Sequence, residues 1–138
     1  MKTEIIKFNP NSTLAGVFTL GARVLLILLF IQAGIGKIGA YQGTAGWMES
    51  MGVPGALLPL VILLEVGGSL ALLVGYQTRL VALAMAVFSV VSAFIFHSNL
   101  SDQAQFLNFY KNISMAGGFL ALMVLGAGRF SIDAKLKG

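Results

Sequence analysis

Hydrophobic residues fall into four long runs that are separated by short polar or glycine-rich segments. The runs cover residues 14–36, 57–74, 80–97 and 111–127. At 1.5 Å per residue, a helix over the first run is about 34 Å long, which is enough to cross a hydrocarbon core of about 30 Å. The pattern therefore predicts an all-α integral membrane protein, a four-helix bundle formed by a single domain over residues 1–138.

The four runs differ in how clearly they predict a span. The third contains no charged residue, whereas Arg23 lies inside the first, Glu65 lies inside the second and Lys111 begins the fourth. A cleaved signal peptide has a shorter, uncharged hydrophobic core. We therefore expect the first run to be a retained helix.

The connections between the runs predict turns and surface segments. Residues 38–56 are rich in glycine and proline and contain Tyr41 and Trp47, aromatic residues that prefer the headgroup level of a membrane. This segment is predicted to be a partly structured interfacial loop on the periplasmic side. Gly75 begins a tight turn and is placed as a helix C-terminal cap. The polar segment 98–108 is expected to lie on the surface.

Composition supports a membrane location and excludes several chemistries. The chain is 57% hydrophobic and 10% charged, whereas about a quarter of the residues in soluble domains are charged. It has no cysteine, which excludes disulfides, thiol redox chemistry, cysteine-ligated iron–sulfur clusters and covalently attached haem. The single histidine excludes a bis-histidine haem within one chain and is too few ligands for a metal site.

The basic residues are scattered along the chain, so its net charge of +4 does not predict a nucleic-acid partner. With four spans, six basic residues fall on the side of the chain termini and two fall on the other side. By the positive-inside rule, both termini are predicted to be cytoplasmic. The six are Lys2, Lys7, Arg79, Arg129, Lys135 and Lys137, and the two are Lys37 and Lys111.

Arg23 and Glu65 lie near the middle of the first two runs, where an ionised side chain costs at least about 2.5–3.5 kcal/mol. The two helices are consecutive and antiparallel, so their midpoints are expected at one depth. Pairing Arg23 with Glu65 would remove both penalties. The pair could serve only to fix the helix register, or it could belong to a functional polar site, because buried ion pairs contribute little net stability.

Helical spacing adds further polar residues to this cluster. We predict a polar cavity that opens on the periplasmic side, with Arg23 and Glu65 as its floor. Its predicted residues are Arg23, Lys37, Glu65, His97, Asn108, Lys111 and Asn112. The lysines could instead be snorkelling anchors, and His97 could be an interfacial residue. No nucleophile–base pair is evident, so no catalytic residue is predicted and the chain's status as an enzyme stays open.

Several of these features resemble the DoxX family of membrane proteins, and the resemblance covers residues 15–133. The opening residues 23–37 resemble the start of the family's pattern, and later pieces follow in the same order. Those pieces are Trp47-Met-Glu-Ser-Met-Gly-Val-Pro54, Leu64-Glu-Val-Gly-Gly68, Gly75-Tyr-Gln-Thr-Arg79, Phe96-His97, Asn108-Phe-Tyr-Lys-Asn-Ile113 and Gly126-Ala-Gly-Arg-Phe-Ser-Ile-Asp133.

The resemblance implies a multi-pass protein of the bacterial inner membrane with four spans. The family takes its name from a small subunit associated with a quinol oxidase, and its members are linked to thiosulfate–quinone oxidoreduction or to membrane complexes that handle oxidative stress. Many members have no assigned activity. The family's recurring polar positions correspond to Arg23, Lys37, Glu65, His97, Lys111 and Asn112.

The leading functional hypothesis is a quinone-linked accessory subunit of a respiratory or oxidative-stress redox system. His97 would exchange protons, Glu65 would be a relay, and electrons would come from a membrane redox partner subunit. No intrinsic cofactor is expected, and the ligand would be a quinone or a lipid. The expected partners are the lipid bilayer, the redox subunit and a second copy of the chain. A small proton-coupled transporter and a non-catalytic membrane scaffold are the alternatives.

Overall fold

A computed structural model describes residues 4–137, so the predicted cytoplasmic residue Lys2 lies outside the described range. Over this range the chain is helical and has no strand. Three helices, Thr13–Gly39, Gly55–Val74 and Thr78–Phe96, are long and apolar enough to cross a membrane. The helix Gln103–Leu125 matches them in length, but its first half is more polar. The helices are α1 (Thr13–Gly39), α2 (Tyr41–Ser50), α3 (Gly55–Val74), α4 (Thr78–Phe96), α5 (Gln103–Leu125) and α6 (Ile132–Lys137).

Local capping explains where the long helices begin and end. The Ser12 hydroxyl accepts a hydrogen bond from the Ala15 amide at the start of α1. The Asp102 carboxylate accepts one from the Ala104 amide at the start of α5. This cap starts α5 well before residue 111, so residues 103–108 form the first turns of α5, and most of the predicted surface segment 98–108 is exposed. The predicted cap at Gly75 is confirmed by its left-handed conformation, with φ of 72°.

The predicted interfacial loop over residues 38–56 contains the short helix α2. One face of α2 carries the buried Met48, and its Trp47 ring stacks on Phe96 at the end of α4 with a centroid distance of 4.7 Å. We call this end of the bundle the His97 end. The opposite end, where the α3–α4 turn meets the C-terminal segment, is the Gly75 end.

The core lies between the four long helices and combines large apolar side chains with alanines. Its buried members are Ile27, Phe30, Leu72, Ala82, Met85, Ala86, Ala116, Phe119 and Leu122. Small residues let helix backbones approach closely, which matters in lipid because burial of apolar surface does not drive helix association there. At Gly34 of α1, an added Cβ would lie 2.5 Å from Val66 of α3. This close approach fixes the register between the two helices.

Arg23 is fully buried, and its guanidinium binds backbone carbonyls. It donates to the Leu72 and Leu73 carbonyls at 2.9 Å each and also to the Phe130 carbonyl. The last carbonyls of a helix have no partner within the helix and carry the negative end of its dipole. A guanidinium has five N–H donors and can satisfy several of them together. Arg23 therefore caps the C-terminus of α3 and ties the C-terminal segment to it.

The predicted ion pair between Arg23 and Glu65 is wrong. Glu65 Oε1 lies 2.8 Å from Lys37 Nζ, at the other end of the bundle from the carbonyls that Arg23 binds. The prediction assumed that the midpoints of the two helices lie opposite each other. The contact at Gly34 instead sets Glu65 against the last part of α1, and Arg23 then reaches the end of α3.

A second arginine caps a second helix at the Gly75 end. Arg79, in the first turn of α4, donates to the Met123 carbonyl at 2.9 Å and to the Val124 carbonyl. These are among the last carbonyls of α5. Gly126 has a φ of 82°, which favours glycine, and an added Cβ there would lie 2.9 Å from the Arg79 guanidinium.

Asp133 closes the same end of the bundle. Its two carboxylate oxygens accept hydrogen bonds of 2.8 Å from the Gln77 and Thr78 amides, which are free donors at the start of α4. Its own amide donates to the Gly75 carbonyl at 2.8 Å. An added Cβ at Gly75 would lie 2.4 Å from Ser131 Cβ. The C-terminal segment therefore fits tightly over the α3–α4 turn.

Replacing Arg23 with methionine should lower the free energy of unfolding by about 2–3 kcal/mol, because several buried carbonyls lose a charged donor. Unfolding of the purified protein in detergent measures this loss.

Because Arg23 and Glu65 do not touch, the losses of unfolding free energy caused by Arg23→Met and Glu65→Gln should be additive within about 0.5 kcal/mol. The swap Arg23→Glu with Glu65→Arg should fail to restore stability. A coupling energy well above 1 kcal/mol would show that the two side chains do interact.

The Asp133 cap should make stability depend on pH. Burial alone would raise the pKa of Asp133, but hydrogen bonds from Thr78 and Gln77 and the nearby Arg23 guanidinium lower it below the ordinary value of 3.8. A carboxyl group whose pKa is lowered by folding stabilises the folded protein at pH values above its ordinary pKa. This stabilisation is lost as the pH falls through the lowered pKa. Melting temperatures of wild type and Asp133→Asn should therefore differ at neutral pH and converge in strong acid. A difference that persists unchanged at the lowest pH would contradict the assignment.

Candidate functional site

A polar cavity of about 200 Å³ lies inside the bundle at the His97 end, and we call it the polar pocket. All five helices from α1 to α5 contribute to its wall. It brings together six of the seven residues that the sequence pattern predicted, while Arg23 lies outside it at the α3 C-terminus. The six are Lys37, Glu65, His97, Asn108, Lys111 and Asn112.

Glu65 and Lys37 form the charged side of the polar pocket. Their 2.8 Å contact is the only salt bridge among residues 4–137. The Glu65 side chain is 4% exposed and the Lys37 side chain is 27% exposed, so the lysine faces the open side. Glu65 lies in a π-helical turn, Leu63–Gly67, within α3. Such turns place an extra residue in the helix and are frequent at functional sites.

Helix α5 and the end of α4 supply the other polar groups. Lys111 Nζ donates to Asn108 Oδ1 at 3.0 Å, and Asn112 is buried one residue further along. Lys111 has no carboxylate partner within residues 4–137. Glu65 balances one of the two lysines, so the polar pocket carries one excess positive charge when His97 is neutral.

His97 follows the last residue of α4, and its amide caps the helix by donating to the Ala93 carbonyl. Burial lowers the pKa of His97, and the positive charges of Lys111 and Lys37 lower it further. The imidazole is therefore neutral at neutral pH, with one nitrogen as donor and the other as acceptor. In this form it can give and take a proton.

Aromatic rings form the apolar wall of the polar pocket. Phe30, Phe88 and Phe96 line it, and Trp47 of α2 covers it from the His97 end. The sequence pattern assigned Trp47 to the membrane interface only, and the structure adds a second role as a wall of the cavity. The signal that could have found this role is the helical spacing of Thr44, Trp47 and Met48, which all line the cavity.

This combination of groups is suited to binding and to proton exchange. Amide, ammonium and imidazole groups can donate to an oxygen acceptor, while the rings pack against a flat apolar ligand. An engineered cavity of about 150 Å³ holds benzene, so 200 Å³ is room for one substituted ring. No cluster of three or more histidine, cysteine or carboxylate side chains that could hold a metal ion occurs in the described part of the chain.

A second depression runs along the outside of the bundle between α1 and α5, and we call it the lateral groove. Its volume is about 770 Å³ and its wall is almost entirely apolar. Leu29 and Lys111 line both the lateral groove and the polar pocket. Lys111 is the only charged residue in the groove wall.

Comparison with known proteins places this architecture in a family. Two Escherichia coli proteins are similar to this chain over nearly their whole length. Inner membrane protein YqjF is 53% identical over 123 residues, which is 89% of this chain and 95% of YqjF. Inner membrane protein YphA is 32% identical over 126 residues, which is 86% of this chain and 90% of YphA. The yeast ER-derived vesicles protein ERV29 is 24% identical over 134 residues, 94% of this chain but 37% of ERV29. No solved structure matches the chain.

The DoxX family profile matches residues 18–98, which include most of α1, all of α2 to α4 and the Lys37–Glu65 pair. The helices that can span a membrane and the inner-membrane location of both bacterial relatives agree with this match. The chain is therefore a multi-pass inner-membrane protein that belongs to the DoxX family.

Proposed function

We propose that this protein binds the ring of a quinone in the polar pocket and acts as an accessory subunit of a respiratory or oxidative-stress redox system. The observation that carries the proposal is the convergence of the six predicted polar side chains and three phenylalanine rings on one cavity inside a membrane protein. Polar groups are costly at this depth and are retained where they bind or move something.

The geometry of the polar pocket supports a quinone over a more polar ligand. Lys111, Asn112 and His97 offer donors to carbonyl oxygens, and the phenylalanine rings offer an apolar surface to the ring itself. The excess positive charge beside Lys111 favours an electron-rich oxygen and stabilises negative charge that develops on it during reduction.

Reduction of a quinone to a quinol takes two electrons and two protons. The chain has no cysteine and one histidine, which leaves it without ligands for an iron–sulfur cluster or a bis-histidine haem, so the electrons come from a partner subunit. His97 passes protons from the His97 end, because its neutral imidazole carries both a donor and an acceptor nitrogen. Glu65, held by Lys37, is the relay on the buried side.

The proposed topology has four spans, with α5 as the fourth and both chain termini in the cytoplasm. Helix α5 is 23 residues long, and its first, polar half lines the polar pocket. The Gly75 end then carries the larger share of basic residues and is cytoplasmic by the positive-inside rule. The polar pocket opens towards the periplasm.

The alternatives are a proton-coupled transporter and a scaffold without activity. A transporter needs a carboxylate that binds the coupled proton and the solute in turn, whereas the Glu65 carboxylate is buried and paired with Lys37. In proteoliposomes, pH-driven solute uptake that disappears in Glu65→Gln would favour the transporter. Normal quinone-dependent respiration in a deletion strain, together with absent quinone binding, would favour the scaffold.

Trp47 is the only tryptophan of the chain and lines the polar pocket, so its fluorescence reports on ligand binding. A benzoquinone titrated into the protein in lipid nanodiscs should quench Trp47 with a saturable curve. Ala33→Leu, which fills the pocket wall, and Lys111→Met, which removes a donor, should each weaken binding about tenfold, equivalent to about 1.4 kcal/mol.

The matched control for this titration is Ala104→Leu, the same substitution at an exposed position in the first turn of α5, outside the pocket wall. It should bind as tightly as wild type. Quenching that rises linearly without saturation, and equally in wild type and Ala33→Leu, would be collision in the membrane and would refute the quinone site.

A further inference from the structure

The lateral groove and the polar pocket are neighbouring cavities that share part of their walls. Leu29 of α1 and Lys111 of α5 belong to both walls. From this junction the groove runs towards the Gly75 end, and beyond the Lys111 ammonium group its wall is apolar except for Thr19. The groove therefore has a positive charge at one end and mostly hydrocarbon along the rest.

Two facing stripes at helical spacing build the groove. Along α1, the residues Phe18, Ala22, Leu25 and Leu29 line one side, and along α5, the residues Lys111, Met115, Gly118, Leu122 and Leu125 line the other. The stripe from Phe18 to Leu29 is about 16 Å long at 1.5 Å per residue. At Gly118 an added Cβ would lie 2.8 Å from Leu26 Cδ2, which marks the floor where α1 and α5 come closest.

We propose that the lateral groove holds the hydrocarbon chain of the lipid whose ring occupies the polar pocket, and that this lipid enters sideways from the bilayer past Lys111. The inference rests on the proposed quinone site and specifies its ligand as a long-chain quinone. Lys111 is the positioning residue at the bend between ring and chain. Its charge is complementary to the electron-rich oxygens of the ring and has no attraction for the chain.

Charge also argues against a second copy of the protein as the occupant of the groove. The chain has five carboxylate residues, Glu4, Glu49, Glu65, Asp102 and Asp133. Only Glu65 lies within a long helix, and it is buried against Lys37. No exposed face of α1, α3, α4 or α5 could therefore bring a counter-charge to Lys111.

The position of Lys111 argues against an ordinary annular lipid. Lys111 lies eight residues into α5, or about 12 Å along the helix from its start. Lys111 therefore lies beside the polar pocket and not at the helix end, where snorkelling lysines meet phospholipid headgroups. A lipid with a small ring head can place the ring beside Lys111 in the polar pocket and leave its chain in the groove.

The test uses two probes with the same dimethoxy-methyl-benzoquinone ring, one without a side chain and one with a decyl chain. Trp47 quenching in nanodiscs follows binding of each. Ala121→Phe and Ala22→Phe fill the groove from α5 and α1 at exposed positions. Each should weaken binding of the decyl quinone at least tenfold and change binding of the bare ring less than twofold. Leu120→Phe, next to Ala121 but outside the groove wall, is the matched control and should bind both probes normally.

The outcomes separate this inference from the proposed function. If wild type binds both probes and the groove variants bind the decyl quinone normally, the chain does not lie in the groove and the inference alone is refuted. If folded groove variants lose both probes, the changes act on the polar pocket itself and the inference is again refuted. If wild type binds neither probe, the quinone site is refuted and the inference falls with it.

Discussion

The hydrogen bonds of the buried Arg23 guanidinium hold the rest of the structure in place. They join α1, the C-terminal end of α3 and the segment after α5, which are far apart in the sequence. The last carbonyls of a helix have no partner within the helix, and here the guanidinium supplies donors to those of α3. Arg79 does the same for α5, and Asp133 satisfies the free amides at the start of α4. The Gly75 end is thereby held together by side chains that satisfy the ends of three helices.

The polar side chains at the His97 end are not used to cap helices in this way, and they line the polar pocket. Because Arg23 is used by helix ends, Glu65 takes Lys37 as its partner, and the pair lies in the wall of a cavity. The π-helical turn at Glu65 and the close approach at Gly34 position the carboxylate there. Lys111 remains without a carboxylate partner in the described residues, and it stands where the polar pocket meets the lateral groove.

Similarity to the bacterial relatives fixes the family and the membrane. It does not determine the ligand or the reaction, because one fold can carry many functions. The match to ERV29 covers 94% of this chain but 37% of the yeast protein, so a similar sequence also occurs within a longer chain. The polar pocket is therefore the feature from which the role of this protein has to be argued.

The sequence by itself determined the membrane location, the helical class, the cap at Gly75 and the set of polar residues that meet at the His97 end. These follow from hydrophobic run length, glycine conformation and helical spacing, which are local properties of the chain. Only the tertiary structure decided the partners of those residues. Arg23 and Glu65 both lie near the middle of a hydrophobic run, but which side chain faces which depends on the register between α1 and α3. That register is set by the packing of Gly34 against Val66, and the carbonyls that attract Arg23 are backbone groups, which no pattern of side chains reveals.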